Sequence, residues 1–257
     1  MGTGSILREL HDGVMELSFD RPGKKNAIDR EMYAVLVEAL EAAASDPKVR
    51  VVLFLGRNGD FTSGNDIVDF LNPETFTSDS PVLRFITGLS EAQKPLVAGV
   101  EGLAVGIGVT MLLHCDLVYA GRGARFQMPF TGLGLVPEAG SSLLLPGIVG
   151  TQRAAELVLL GEAIEAEKAY RFGFVNEVVA DGEATSRART AARTLAGKAP
   201  EALRLSKSLL RQGERALLKE AIARETAIFR ERLTSTEAAE AFSAFAQKRK
   251  ADFSCFV

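Results

Sequence analysis

A lone carboxylate is the first feature of this sequence that could do chemistry. In Gly132-Leu-Gly-Leu-Val-Pro-Glu138-Ala-Gly-Ser-Ser142, Glu138 stands between an apolar approach and a Gly-Ser-Ser that can open a helix. Buried in an apolar pocket, such an acid is driven up in pKa toward the range of a general base. Exposed, it is only a first-turn acid favoured by the helix dipole. Spacing alone leaves both open. A second segment, Glu101-Gly-Leu-Ala-Val-Gly-Ile-Gly-Val-Thr-Met111, leads from a strand signal into an apolar helix. It lacks the third glycine of a dinucleotide fingerprint, and no acid ends a second strand at the right distance. What it offers is a Gly-rich helix start, whose unpaired N–H groups suit a developing negative charge. Phe61-Thr-Ser-Gly-Asn-Asp-Ile67 follows a buried strand, where loops of open α/β sheets meet ligands. Gly64 permits close approach to the backbone, although Gly, Asn and Asp also make plain turns. In Arg21-Pro-Gly-Lys-Lys-Asn-Ala-Ile28, Lys24 and Lys25 are either solvated turn residues or contacts for a phosphate-bearing ligand.

Other chemistries find no support. The two histidines are His11 and His114, and His114 sits in an apolar helical stretch, as a packed core residue would. No Gly-x-Ser-x-Gly elbow occurs, and no His/Cys cluster has metal-ligand spacing.

The elements that must position these segments alternate between strand and helix. Met15, Leu17 and Phe19 alternate with polar residues, the period of a half-buried strand. Met32, Val35, Leu36, Ala39, Leu40 and Ala43 recur at helical spacing between Asp29 and Ser45, with Asp29 placed to cap. Val49 to Leu55 is a strand buried on both faces; Leu96 to Val100 and Asp116 to Ala120 read the same way, separated by a helix from Gly106 to His114. Beyond Gly182 only helical stretches remain: Ala184–Ala196, Pro200–Gln212, Glu214–Leu233 and Thr236–Lys250. The expected organisation is an α/β core over 1–182 and an all-helical region over 183–257, without repeats or a disordered linker.

The 257 residues suffice for one large domain, and 47% hydrophobic with 25% charged residues is the balance of a globular protein. A net charge of −3 argues against a nucleic-acid binder. Two cysteines, Cys115 and Cys255, are too few for a disulfide framework and fit a reducing compartment. The first residues carry no secretory pattern, the last match no peroxisomal or retention address, and no apolar run reaches membrane-spanning length. A cytoplasmic, non-membrane protein is expected.

Taken together and in order, the four segments resemble the crotonase (enoyl-CoA hydratase/isomerase) superfamily from about Ile6 to Lys250. Arg21-Pro22 with Asn26-Ala27, Ser63-Gly64-Asn65-Asp66, and the Gly-rich turn running to Cys115-Asp116 match the family's patterns. The resemblance implies an α/β fold, a crotonase-like β-β-α spiral core with a helical C-terminal trimerisation region, forming a homo-trimer or a dimer of trimers. It implies an acyl-CoA thioester substrate, with coenzyme A entering as part of that substrate and no separate cofactor or metal. It further implies an oxyanion hole at Ser63 and Ile107. Contacts to CoA are implied at Lys24, Lys25, Ser63, Gly64, Asn65, Asp66 and Ile67, and an acyl pocket at Thr110, Phe130 and Leu133.

The family's hydratases carry glutamates at the positions of Thr110 and Phe130, and neither residue can shuttle a proton to or from water. Glu138, Pro137 and Ser141-Ser142 instead resemble the peroxisomal-type Δ3,Δ2-enoyl-CoA isomerases, in which the glutamate matching Glu138 is the base. That makes an enoyl-CoA isomerase the leading expectation. An enoyl-CoA hydratase or other crotonase-type reaction, a nucleophilic role for Glu138 as in the family's dehalogenases, and a catalytically inactive CoA-binding module are the alternatives.

Overall fold

The computed structural model describes residues 5–67, 77 and 79–256; residues 1–4 and 257, which bear on the targeting expectations, lie outside them. Nine strands are seen among the described residues: β1 (Ser5–His11), β2 (Val14–Asp20), β3 (Val51–Gly56), β4 (Leu96–Val100), β5 (Leu103–Val105), β6 (Leu117–Gly121), β7 (Arg125–Gln127), β8 (Ile164–Glu165) and β9 (Glu177–Val179). Six form a sheet in the order β1-β2-β3-β4-β6-β9, parallel except for the β1–β2 hairpin. The other three make a smaller sheet, β5-β7-β8. Isolated parallel bridges Ile28↔Asn65 and Thr62↔Ala104 extend the same side-by-side progression toward the N-terminus. From β3 to Thr62, from β4 to β5 and from β6 to β7 the chain passes from the large sheet into the small row before a helix or loop returns it. This is the β-β-α spiral the family resemblance implies.

The strand chemistry follows from burial on both faces. In β3, Val52 and Phe54 join the main core with the helices Arg30–Ser45 and Pro81–Glu91, while Val51, Leu53 and Leu55 join a second cluster. Ala188, Ala191 and Ala192 of the helix Ala184–Ala196 cover that second face. With no polar face to show, β3 reads as an unbroken apolar run. Asp29 caps its helix as expected, its side chain accepting from the Met32 N–H.

The structure also departs from the sequence expectation in several places. The stretch Gly106–His114 is an α-helical turn, Ile107–Thr110, continued by a 3-10 turn, Met111–His114. Strand β1 and the helix Pro81–Glu91 are additions to the sequence expectation, as are β5, β7, β8 and β9, whose two or three residues give too little periodicity to detect. From Ala184 onward the regular structure among the described residues is helical, in Ala184–Ala196, Pro200–Arg211, Arg215–Leu233 and Thr236–Ala246. Among the described residues no helix is long and apolar enough to cross a membrane.

Candidate active site

Two loops are pinned together first. The Asn26 side chain donates to the carbonyls of Arg57 and Asp60 and accepts from the Arg21 N–H. The Arg21 guanidinium donates to Asp66 (2.7 Å) and to the Ala27 carbonyl, and lies 3.3 Å from Asp29. The Arg-Pro and Asn-Ala signature is thus scaffolding that clamps 21–28 against 57–66. The Asp66 carboxylate, assigned to ligand contact from the resemblance, is nearly buried and paired with Arg21, so its side chain belongs to this clamp. Lys24 and Lys25 stand exposed on the outer side of the clamp, and their ammonium groups have no side-chain partner among the described residues. Ile67, at the edge of the described segment, packs partly against the core.

The backbone then decides which N–H groups are free. Ser63 donates its N–H to the Lys25 carbonyl at 3.0 Å, and its hydroxyl to the Lys24 carbonyl. An N–H already bound in this way is not available to a ligand, so the expectation of an oxyanion donor at Ser63 is corrected. In the same loop the Asn65 N–H has no partner among the described residues, because its two neighbours take up the bridge to Ile28. Across from it the Ile107 N–H is equally unpartnered, the Gly106 N–H being donated to Gln127. Gly64 brings the two together. With φ +90°, it lies so close to Val105 that a Cβ there would sit 2.7 Å from the Val105 oxygen. The Asn65 side chain is held by the buried Tyr33 hydroxyl, which donates to Asn65 Oδ1 at 2.5 Å.

Glu138 is buried, 6% exposed, and accepts a 2.5 Å hydrogen bond from the Thr110 hydroxyl one turn after Ile107. Burial pushes its carboxyl up to about 8; the Thr110 hydrogen bond pulls it back, and the charge of Glu225 adds to the rise. The structure therefore brings Ile107, Thr110 and Glu138 into one connected group. Phe130 is buried and its carbonyl accepts from Leu133 and Leu135, while Leu133 is partly buried against the core. Among the described residues no cluster of His, Cys, Asp or Glu could hold a metal ion.

The pattern of the enoyl-CoA hydratase/isomerase family matches residues 9–255. The chain belongs to the enoyl-CoA hydratase/isomerase family. It is 36% identical over 246 residues to the mouse (Mus musculus) peroxisomal enoyl-CoA delta isomerase 3, covering 93% of this chain and 77% of that protein. It is also 35% identical over 243 residues to the 2,3-dehydroadipyl-CoA hydratase of Escherichia coli K12, covering 93% and 94%. Among solved structures, an enoyl-CoA hydratase/isomerase from Pseudoalteromonas atlantica T6c superposes with a TM-score of 0.92 at 40% identity, covering 97% of this chain and 99% of that one. Isomerases and hydratases of the family thus stand at nearly equal distance, and the choice between them falls to the site.

For an enoyl-CoA hydratase/isomerase, the sequence reading missed two buried polar residues beside Glu138. His114, expected only to pack, lies 2.7 Å through Nε2 from the Ala139 carbonyl; a carbonyl can only accept, so Nε2 carries the proton. Burial drives His114 down to about 4, the Ala139 carbonyl opposing and Arg211 and Lys207 adding to the fall, so it is neutral near pH 7. Glu225 comes from the helix Arg215–Leu233 and accepts from the N–H groups of Gly140 and Ser142. Its signal was legible in principle: it interrupts the buried stripe Leu218, Ala221, Glu225, Phe229, and a carboxylate on an apolar stripe needs a partner.

Proposed function

We propose that this protein is an enoyl-CoA isomerase that moves the double bond of a 3-enoyl-CoA to the 2-trans position, with Glu138 as its single base. The observation that carries this reading is one buried carboxylate, raised to about 8, with only a hydroxyl and a phenyl ring at the two positions of the hydratase acids. Glu138 removes the C2 proton, which the thioester acidifies, and returns it at C4. The dienolate formed between these steps places negative charge on the thioester oxygen. The free N–H groups of Asn65 and Ile107 are the donors for that oxygen, and each such donor is worth on the order of 3 kcal/mol in a dry site. Hydration makes a larger demand: one group must activate water and another must deliver a proton. Thr110, already donating to Glu138, and apolar Phe130 supply neither. The equal nearness of a hydratase relative keeps enoyl-CoA hydration as the competing reading.

The pH profile of conjugation tests the base. Glu138 must be ionised to accept a proton, so kcat/KM is expected to rise about tenfold per pH unit below 8 and to level off above it. His114, neutral across this range, adds no limb of its own. A profile flat from pH 6 to 9 would contradict Glu138 as the base.

CoA would enter past Lys24 and Lys25, two exposed cations beside the Ser63–Ile67 loop. Lys25→Ala is expected to raise the Kd of a CoA ester about twofold to fivefold with kcat little changed, as loss of a solvent-exposed charge contact predicts. Calorimetric titration with a non-reactive acyl-CoA reads this, and an unchanged affinity would leave Lys25 a solvated loop residue. Self-association into trimers is supported by Leu205, Leu209, Leu210 and Leu217, which lie exposed on two C-terminal helices.

A further inference from the structure

The turn carrying Glu138 is held from outside by the C-terminal helices. Ala139 has φ +60°, a left-handed conformation that a non-glycine residue keeps only with surrounding support, and Gly140 continues the turn at φ +72°. The helix Ser141–Val149 that follows has no side-chain cap of its own. Its first N–H groups are satisfied from a distance: Glu225 Oε2 accepts from Gly140 at 2.6 Å, and Oε1 from Ser142 at 2.8 Å. The helix Arg215–Leu233, which carries Glu225, seats Leu218 directly on Gly140, where an added Cβ would lie 2.3 Å from its Cδ1. His114 donates to the Ala139 carbonyl, and Ser141 donates through both N–H and hydroxyl to the Glu138 carbonyl. Glu225 is itself only 5% exposed.

We propose that Glu225 is the positioning residue of this site, fixing from the C-terminal helix the turn that aims Glu138 and placing a second negative charge behind it. The inference rests on Glu138 being the base. A bidentate acceptor holds both ends of a two-residue span, which no neutral side chain of the same length can do. A glutamine there keeps one acceptor, but its NH2 group faces the other N–H. The charge matters separately. Burial raises the Glu225 carboxyl, while the hydroxyl and N–H of Ser142 and the N–H of Gly140 stabilise its anion. That anion disfavours ionisation of Glu138. The other charged or titratable groups around the turn are Arg224 beside Glu225 and, on the His114 side, Lys207, Arg211, Glu214 and Arg215.

The test reads the Glu138 carboxyl directly, by infrared difference spectroscopy of the whole protein titrated from pH 4 to 10, its band assigned by loss in Glu138→Gln. In Glu225→Gln the Glu138 midpoint is expected below that of the unaltered protein, by up to about one pH unit, because a neighbouring like charge has gone. Conjugation of a 3-enoyl-CoA is expected to lose about 100-fold in kcat with KM little moved, the effect of a base displaced by about an ångström. A merely structural Glu225 would lower the unfolding temperature and leave the midpoint of the folded protein where it was, which would overturn the proposal. Should Glu225→Gln not fold, Glu225→Asp takes its place; it keeps the charge one methylene short of the turn and is expected to lower kcat in the same way, whereas full activity would overturn the proposal. If the unaltered protein shows no conjugation at all, the isomerase reading fails, and the Glu138 midpoint still decides the role of Glu225.

Discussion

Replacing Glu138 by glutamine is expected to slow conjugation of a 3-enoyl-CoA by on the order of 10³-fold or more, toward the upper range for loss of a general base. The fold should survive. The Thr110 hydroxyl can still donate to the amide oxygen, and the substitution removes an ionisable group that burial already penalises. Thermal unfolding within a few degrees of the unaltered protein, alongside collapsed turnover, is therefore the expected pair of results. Turnover within tenfold of normal would remove Glu138 from the chemistry. Intact-mass analysis during turnover separates base from nucleophile: a base leaves no covalent adduct on the protein, whereas an attacking carboxylate would form an ester.

The second large effect is expected at Gly64. An alanine here meets two obstacles at once, a φ of +90° and a Cβ 2.7 Å from the Val105 oxygen. The strain costs about 1–3 kcal/mol, to be read as a lowered denaturant midpoint. The catalytic loss should be larger than that strain implies. The methyl group pushes apart the two stretches that carry the Asn65 and Ile107 N–H groups, and displacing one oxyanion donor costs about 10²–10³-fold in kcat. KM should change less, because the ground-state thioester oxygen carries little charge. A folded Gly64→Ala with normal kcat would mean that these two N–H groups do not hold the oxyanion.

Much of this architecture is legible in the residues themselves. The buried strand Val51–Gly56, the Asp29 cap and the four C-terminal helices follow from periodicity and capping chemistry, which are local properties of the chain. Glu138 is legible as a candidate because it is a single acid among Gly, Pro and apolar residues. Its burial is not, since that depends on the helix Arg215–Leu233 closing over Gly140. The oxyanion donors show the limit most clearly. Ser63 and Asn65 are both small polar residues beside the same glycine, and only one N–H is free. That is decided by the Lys25 carbonyl, which reaches Ser63 because the Arg21–Asp66 and Asn26 contacts clamp two distant loops together. Glu225 is legible as a carboxylate on an apolar stripe, but what it holds, 85 residues away at Gly140, is not: a backbone N–H leaves no residue-type signal.

The most direct measurement incubates the purified protein with a 3-enoyl-CoA and, separately, with a 2-trans-enoyl-CoA, following conjugation by absorbance and products by mass spectrometry. A base without a water-activating partner predicts that the first substrate becomes conjugated with no change in mass and that the second gains no water. Addition of water to the second substrate at a rate matching or exceeding conjugation of the first would contradict the account, because some group other than Thr110 and Phe130 would then be supplying the missing acid.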